Sequence, residues 1–128
     1  MEHKTENDRD ILSGSGYYFT RPEIEMSIRT NTTISDIYFE RYDRATSRFL
    51  KPRRFSEEEA KKGTEYLVLK FNGSEENLII DGLDKIMLFL EKSGMRSDDV
   101  AKAKGTPVTI YWQPKFIYGM SLDMKQSE

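Results

Sequence analysis

Residues 65–94 read EYLVLKFNGSEENLIIDGLDKIMLFLEKSG, and the spacing of their apolar side chains changes partway along. Up to Phe71 the period is two: Leu67, Leu69 and Phe71 point one way, and Tyr66, Val68 and Lys70 the other. Asn72-Gly73-Ser74 supplies turn chemistry, and a returning strand around Leu78, Ile79 and Ile80 completes a hairpin. Beyond Asp81 the spacing becomes helical. Leu83, Ile86, Met87 and Leu90 form an apolar stripe with Phe89 beside it, Asp81 is placed to cap the helix with Asp84 at its third position, and Gly94 stops it. A hairpin followed by a core-covering helix is the frame for the rest of the chain.

Downstream, Ser97-Asp98-Asp99-Val100 opens a short helical turn that ends at Gly105. PVTIYW (107–112) predicts a strand with Val108, Ile110 and Trp112 on one face and Thr109 and Tyr111 on the other. Burial is the first reading of Trp112. Gln113-Pro114-Lys115 is a tight connection to FIYGMSL (116–122), where Phe116, Tyr118, Met120 and Leu122 share a face and Gly119 marks a bulge or close backbone approach. Residues 123–128, DMKQSE, are expected to fray.

Upstream, Ser56 with Glu59 three residues later is a capping box; Glu57, Glu58 and Glu59 fill the first turn of a short helix, Lys61 and Lys62 the last, and Gly63 closes it. Its charges read as a solvated face. Residues 34–42 alternate, with Ile37 and Phe39 on one face and Tyr38, Glu40 and Tyr42 on the other. EIEMSIR (23–29) alternates too, with Ile24, Met26 and Ile28 together. Asn31-Thr32 has turn composition, so residues 24–42 are either one long bent strand or a hairpin. Tyr17-Tyr18-Phe19 suits a short edge strand ended by Arg21-Pro22. Residues 1–16 finish in Ser-Gly-Ser-Gly and read as a flexible segment, not a phosphate loop, because no helix or Lys-Ser/Thr pair follows. Residues 17–122 are then one domain.

The chain has 128 residues, of which 33% are charged, 37% hydrophobic and 12% aromatic, with a net charge of -2. That composition suits one polar globular domain, and any affinity for nucleic acid must come from a local patch. Cysteine is absent, which excludes disulfides and thiolate chemistry. The start has no apolar signal region, and the longest purely apolar run, residues 86–90, is far too short to span a bilayer. A cytoplasmic protein without a membrane partner is expected.

Residues 38–55, YFERYDRATSRFLKPRRF, carry that patch. Arg41, Arg44, Arg48, Lys51, Arg53 and Arg54 face a lone acid, Asp43, between positions 41 and 54. Tyr38, Phe39, Tyr42, Phe49 and Phe55 are interleaved with them. Cations neutralise phosphates and aromatic faces stack unpaired bases, so the mixture suits single-stranded DNA or RNA. Arg and Tyr are also enriched at protein interfaces, which leaves a protein partner as the alternative.

Catalysis has less support. The single His3 lies in the flexible segment. Asp81/Asp84 and Asp98-Asp99 could hold a metal for a nuclease, but both pairs sit where helix N-termini favour acids, and capping is the preferred reading. No metal, cofactor or catalytic residue is assigned.

Strand, long loop, strand, turn, strand, helix, strand, tight turn, strand is the order of the oligonucleotide/oligosaccharide-binding (OB) fold, a mainly β five-stranded Greek-key barrel with a helix between strands 3 and 4. The half from Tyr66 to Leu122 resembles small phage-encoded OB-type proteins of replication and recombination modules. The likeness rests on YLVLKFNGSEENLIID, the covering helix, Ser97-Asp98-Asp99 and Gly105-Thr-Pro-Val-Thr-Ile-Tyr111. DMKQSE is unlike the acidic docking tail of cellular single-strand-binding proteins. In this fold the basic stretch is the loop between strands 1 and 2, and Gln113-Pro114-Lys115 the loop between strands 4 and 5, which with the strand 2–3 face bind nucleic acid. The expected inventory is Tyr38, Tyr42 and Phe49 as stacking rings and Arg41, Arg44, Arg48, Lys51, Arg53 and Arg54 as phosphate partners, extended by Lys70 and Lys115. Phe39, Phe55 and Phe71 are expected in the core. The function implied is non-enzymatic binding of single-stranded nucleic acid; the alternative is a phage or mobile-element factor docking onto a host or replication protein.

Overall fold

One strand of 16 residues, β2 (Ile28–Asp43), runs through both halves of the sheet. The structure, a computed structural model, describes residues 12–13 and 27–122. The strand expected at 17–19, the apolar positions 24 and 26, His3 and the tail 123–128 lie outside the described residues. The first part of β2 pairs antiparallel with β6 (Pro107–Gln113), from Ile28 opposite Trp112 to Thr33 opposite Pro107. The second part pairs with β4 (Glu65–Phe71), from Ile34 opposite Phe71 to Arg41 opposite Glu65. Residues 28–42 therefore form one bent strand, and Asn31-Thr32 is not a turn. The threonines at 30, 32 and 33 favour a pleated strand, and the polar groups bond across it. Thr109 Oγ1 donates to Asn31 Oδ1 at 2.8 Å, and Thr32 Oγ1 donates to the Asn72 carbonyl at 2.7 Å.

The bend has a local cause. The register with β4 shifts between Ile34 and Asp36, a bulge of the kind that kinks a strand and lets a sheet close. There the Ile34 N–H donates to the Thr106 carbonyl at 3.1 Å, and the Gly105 N–H donates to the Ile34 carbonyl at 2.7 Å. Gly105 has φ 86°, a left-handed conformation that glycine adopts without a Cβ penalty. Asp36 accepts from the Ile37 N–H at 2.9 Å and lies 3.6 Å from the Lys104 ammonium, which pins the kink.

The connection from β2 to β4 holds a short strand, β3 (Arg48–Leu50), and helix α1 (Glu57–Lys62). β5 (Leu78–Asp81) returns along β4 and is followed by the principal helix, α2 (Leu83–Ser93), a 3₁₀ turn (Val100–Ala103), β6 and β7 (Phe116–Leu122). β1 (Leu12–Ser13) pairs with β7 opposite Met120 and Gly119, which ties that part of the N-terminal segment to the sheet. The strand order is β1-β7-β6-β2-β4-β5, with β3 on β2. β5 and β7 approach each other at a seam, where no ladder joins them among the described residues. The fold is thus mainly β, an OB-like five-stranded barrel (β2, β4, β5, β6, β7), nearly closed, with a helix between its third and fourth strands.

Ile34, Ile37, Leu67, Leu69, Val108 and Met120 are almost wholly inaccessible inside the barrel. α2 covers them with Ile86, Phe89 and Leu90; Phe89 is 1% exposed and Met87 42%, so Phe89 takes the place in the stripe expected of Met87. Gly82, not Asp81, is the N-cap of α2. Asp81 remains the last residue of β5, and its carboxylate lies 4.0 Å from the Lys85 ammonium. In β7 the expected alternation fails. Tyr111 pairs with Gly119 but Trp112 with Ile117, so Tyr118 is the extra residue of a bulge beside Gly119, and Ile117 and Met120 are both buried.

At the other end of the barrel, the carboxylate of Glu65 is completely buried. It accepts from Arg41 Nε at 2.6 Å, from Arg41 Nη2 at 3.2 Å and from the Ser56 N–H at 3.1 Å. Arg41 Nη2 also donates to the Arg54 carbonyl at 2.9 Å. The capping box is consequently half-formed. Ser56 Oγ accepts from the Glu59 N–H, but Glu65 takes the place of Glu59 on the Ser56 N–H, and Glu59 accepts from Thr64 Oγ1 at 2.6 Å. Removing one partner of such a pair strands the other charge without water. Arg41→Ala is therefore expected to lose about 3 kcal/mol of unfolding free energy, the lower end for buried pairs because the guanidinium remains partly exposed. Urea melts read this, and a loss under about 1 kcal/mol would show that the pair does not hold the barrel end.

Candidate nucleic-acid interface

Alternation along β2 turns Tyr38, Glu40 and Tyr42 outward, and the ladder assigns their neighbours. Tyr38 stands opposite Val68 and Glu40 opposite Tyr66 in β4; Val68 stands opposite Ile79 in β5. On the other edge of β2, Tyr42 stands opposite Phe49 in β3. The ring centroids of Tyr42 and Phe49 are 5.1 Å apart, and those of Phe49 and Tyr66 5.9 Å, both tilted. Three strands thus contribute one ring each to a single outward cluster, in which Phe49 is 55% exposed. Tyr66 is absent from the residues expected at the site. The available signal was its place with Lys70 on the more polar face of β4.

The long loop expected between the first two barrel strands is largely ordered by its own sequence. Asp43 folds the β2–β3 turn, its carboxylate accepting from the Ala45 N–H at 3.1 Å and from the Thr46 hydroxyl at 3.0 Å. Ser47 takes a left-handed φ of 56°. This turn carries Arg44 and leads to Arg48, both exposed. Beyond β3, Lys51, Arg53 and Arg54 are exposed, while Phe55 packs on Phe39 with ring centroids 4.7 Å apart, as expected of core rings.

Two assignments change with the geometry. Arg41 lies on the Ile37 and Phe39 face of β2, and its guanidinium is committed to Glu65 and Arg54, so it leaves the set of phosphate partners. The Glu65 hydrogen bond, opposed by burial and helped by the Glu65 and Glu59 charges, raises its pKa above the ordinary arginine value and keeps it charged. Tyr38 is not an open stacking face. The Lys51 ammonium lies 4.2 Å from its ring centroid and that of Lys70 5.9 Å, so the ring gathers two cations against its negative face.

Arg44, Arg48, Lys51, Arg53, Arg54 and Lys70 have no carboxylate within 4.0 Å among the described residues. Elsewhere Glu59, Asp98 and Asp99 are engaged. The Thr64 hydroxyl is the main reason that the Glu59 carboxyl is held below its ordinary pKa, and Arg96, donating to Asp98 at 3.2 Å, does the same for Asp98. Asp99 lies 3.3 Å from the Lys102 ammonium. No group of three or more His, Asp or Glu side chains converges among the described residues.

Lys115 does not join this track. Its turn lies at the β6–β7 connection, by the Ile28 end of β2, whereas the basic hairpin lies at the Asp43 end. There Lys115 lines a cleft of about 310 Å³ with Trp112, Thr30, Glu75 and Glu76. Trp112 is packed partly against the core, as expected, and its indole N–H donates to Thr30 Oγ1 at 2.9 Å.

Comparisons with protein-family models, with curated proteins and with solved structures find no match for this chain. Among the described residues no helix is long and apolar enough to cross a membrane.

The exposure of Phe49 predicts that its ring is dispensable for folding. Phe49→Ala is expected to cost about 1 kcal/mol or less in a urea melt, the scale of one surface ring pair. A loss above about 3 kcal/mol would make Phe49 a core residue.

Proposed function

We propose that this protein is a non-enzymatic domain that binds single-stranded nucleic acid on the outward face of β3, β2 and β4. One observation carries the reading: the contiguous rings of Tyr42, Phe49 and Tyr66 lie on the sheet shared with a hairpin whose cations have no carboxylate within 4.0 Å among the described residues. Bases stack on such rings whatever their identity; Lys51 and Lys70, at the Tyr38 ring, supply phosphate neutralisation on that face, and Arg44, Arg48, Arg53 and Arg54 extend it over the adjoining hairpin and connection. With a net charge of -2, this local field must dominate, because screening over about 10 Å hides distant acids. The resemblance of the second half of the chain to phage-encoded OB-type proteins supports a role in DNA replication or recombination, in a cytoplasmic setting. Leu50 and Ile79, 48% and 51% exposed, favour a second reading in which the same region docks a protein.

Binding of a fluorescent mixed-sequence 12-mer across a salt series separates the two. Engagement of three or more phosphates gives a log–log slope of about -2 or steeper. Phe49→Ala should weaken binding about 5- to 150-fold, the range for one stacked base, and Arg53→Ala/Arg54→Ala should flatten the slope. No binding, or binding indifferent to salt and to these substitutions, would contradict the nucleic-acid reading.

A further inference from the structure

Glu40 stands among the rings and cations of this face, where Asp36, opposite Lys70, lies 3.6 Å from the Lys104 ammonium and Asp81, opposite Tyr66, lies 4.0 Å from that of Lys85. Glu40 stands opposite Tyr66 in the β2–β4 ladder and two residues from both Tyr38 and Tyr42 along β2, which puts its backbone about 7 Å from each. It is partly exposed, and among the described residues its carboxylate makes no hydrogen bond and no ion pair within 4.0 Å. The lysines on the neighbouring Tyr38 ring have not turned to it.

A carboxylate repels phosphates, so a backbone following the lysines and the hairpin arginines passes beside Glu40. A base stacked on Phe49 or Tyr66 then brings its edge toward the carboxylate. An ionised carboxylate only accepts hydrogen bonds, through two oxygens. Guanine presents N1–H and N2–H side by side, matching both oxygens. Cytosine and adenine present one amino group beside a ring acceptor. Thymine and uracil present N3–H between two carbonyl oxygens, which a carboxylate repels.

We infer that Glu40 is the specificity-determining residue of this face, accepting hydrogen bonds from the Watson–Crick edge of a stacked base and favouring guanine over thymine or uracil. The inference rests on the single-stranded nucleic-acid reading above. Its chemistry is that of single-strand readers that stack a base and bond its edge.

The test is fluorescence anisotropy of the full chain with labelled dT12, dC12 and (dTdG)6 at one fixed salt concentration. The parent should bind (dTdG)6 at least about fivefold more tightly than dT12, with dC12 between them, a bidentate contact being worth that much discrimination or more. In Glu40→Gln, isosteric and able both to donate and to accept, the three affinities should converge to within about twofold, with dT12 no weaker than in the parent. A melting curve matching the parent's establishes that the variant is folded. Equal binding of all three by the parent, or a preference that persists in Glu40→Gln, would overturn the role of Glu40 and leave the nucleic-acid reading standing. Failure of all three to bind would overturn both.

Discussion

The buried carboxylate of Glu65 constrains more of this molecule than any other group. A charge taken out of water must be met by several donors, and here they are Nε and Nη2 of Arg41 on β2 and the Ser56 N–H at the start of α1, while Arg41 Nη2 also donates to the Arg54 carbonyl. Satisfying Glu65 therefore fixes where residues 54–56 lie. That placement sets Phe55 on Phe39 and leaves Arg53 and Arg54 exposed. The ion pair is how a barrel with one modest core holds a long, strongly basic connection in place.

From that anchor, strand parity divides the labour. Ile37, Phe39 and Arg41 turn inward along β2, while Tyr38, Glu40 and Tyr42 turn outward, and β4 repeats the division with Leu67 and Leu69 against Tyr66 and Lys70. The inward set closes the barrel. The outward set gathers rings and cations drawn from three strands, none of which would form a binding face alone. The Tyr38 ring holds the Lys51 ammonium at 4.2 Å from its centroid and that of Lys70 at 5.9 Å, so cations from two parts of the chain meet at one ring.

Much of this was legible in the residues. The alternation of 65–71, the turn at Asn72-Gly73 and the helical spacing after Asp81 define the hairpin and helix, and the order of elements defines an OB-like barrel. Continued to Arg41, the parity of Ile37 and Phe39 turns it inward, although its charge suggests a phosphate partner. What resolved that conflict was Glu65, an acid 24 residues away that only the ladder brings opposite. The bulges were less legible. Extra residues at Ser35 and Tyr118 reverse the parity of the residues beyond them, so β7 buries Ile117 with Met120 where simple alternation groups Met120 with Phe116 and Tyr118. Asn31-Thr32 has turn composition but strand neighbours, and cross-strand bonds to Thr109 and Asn72 decide it. Analogy of loops groups Lys115 with the basic loop, and the length of β2 separates them.

The central claim is that the face bearing Tyr42, Phe49 and Tyr66 receives the bases of a single strand. Two-dimensional NMR of the full chain, titrated with an unlabelled 12-mer, tests it most directly. Ring-current shifts and broadening are expected to be confined to the Tyr42, Phe49 and Tyr66 rings, to Tyr38, Glu40 and Lys70 beside them and to residues 44–54, with the indole N–H of Trp112, at the far end of β2, unmoved. Perturbations centred on Trp112 and the 72–76 turn, or none at any concentration that dissolves both partners, would contradict it.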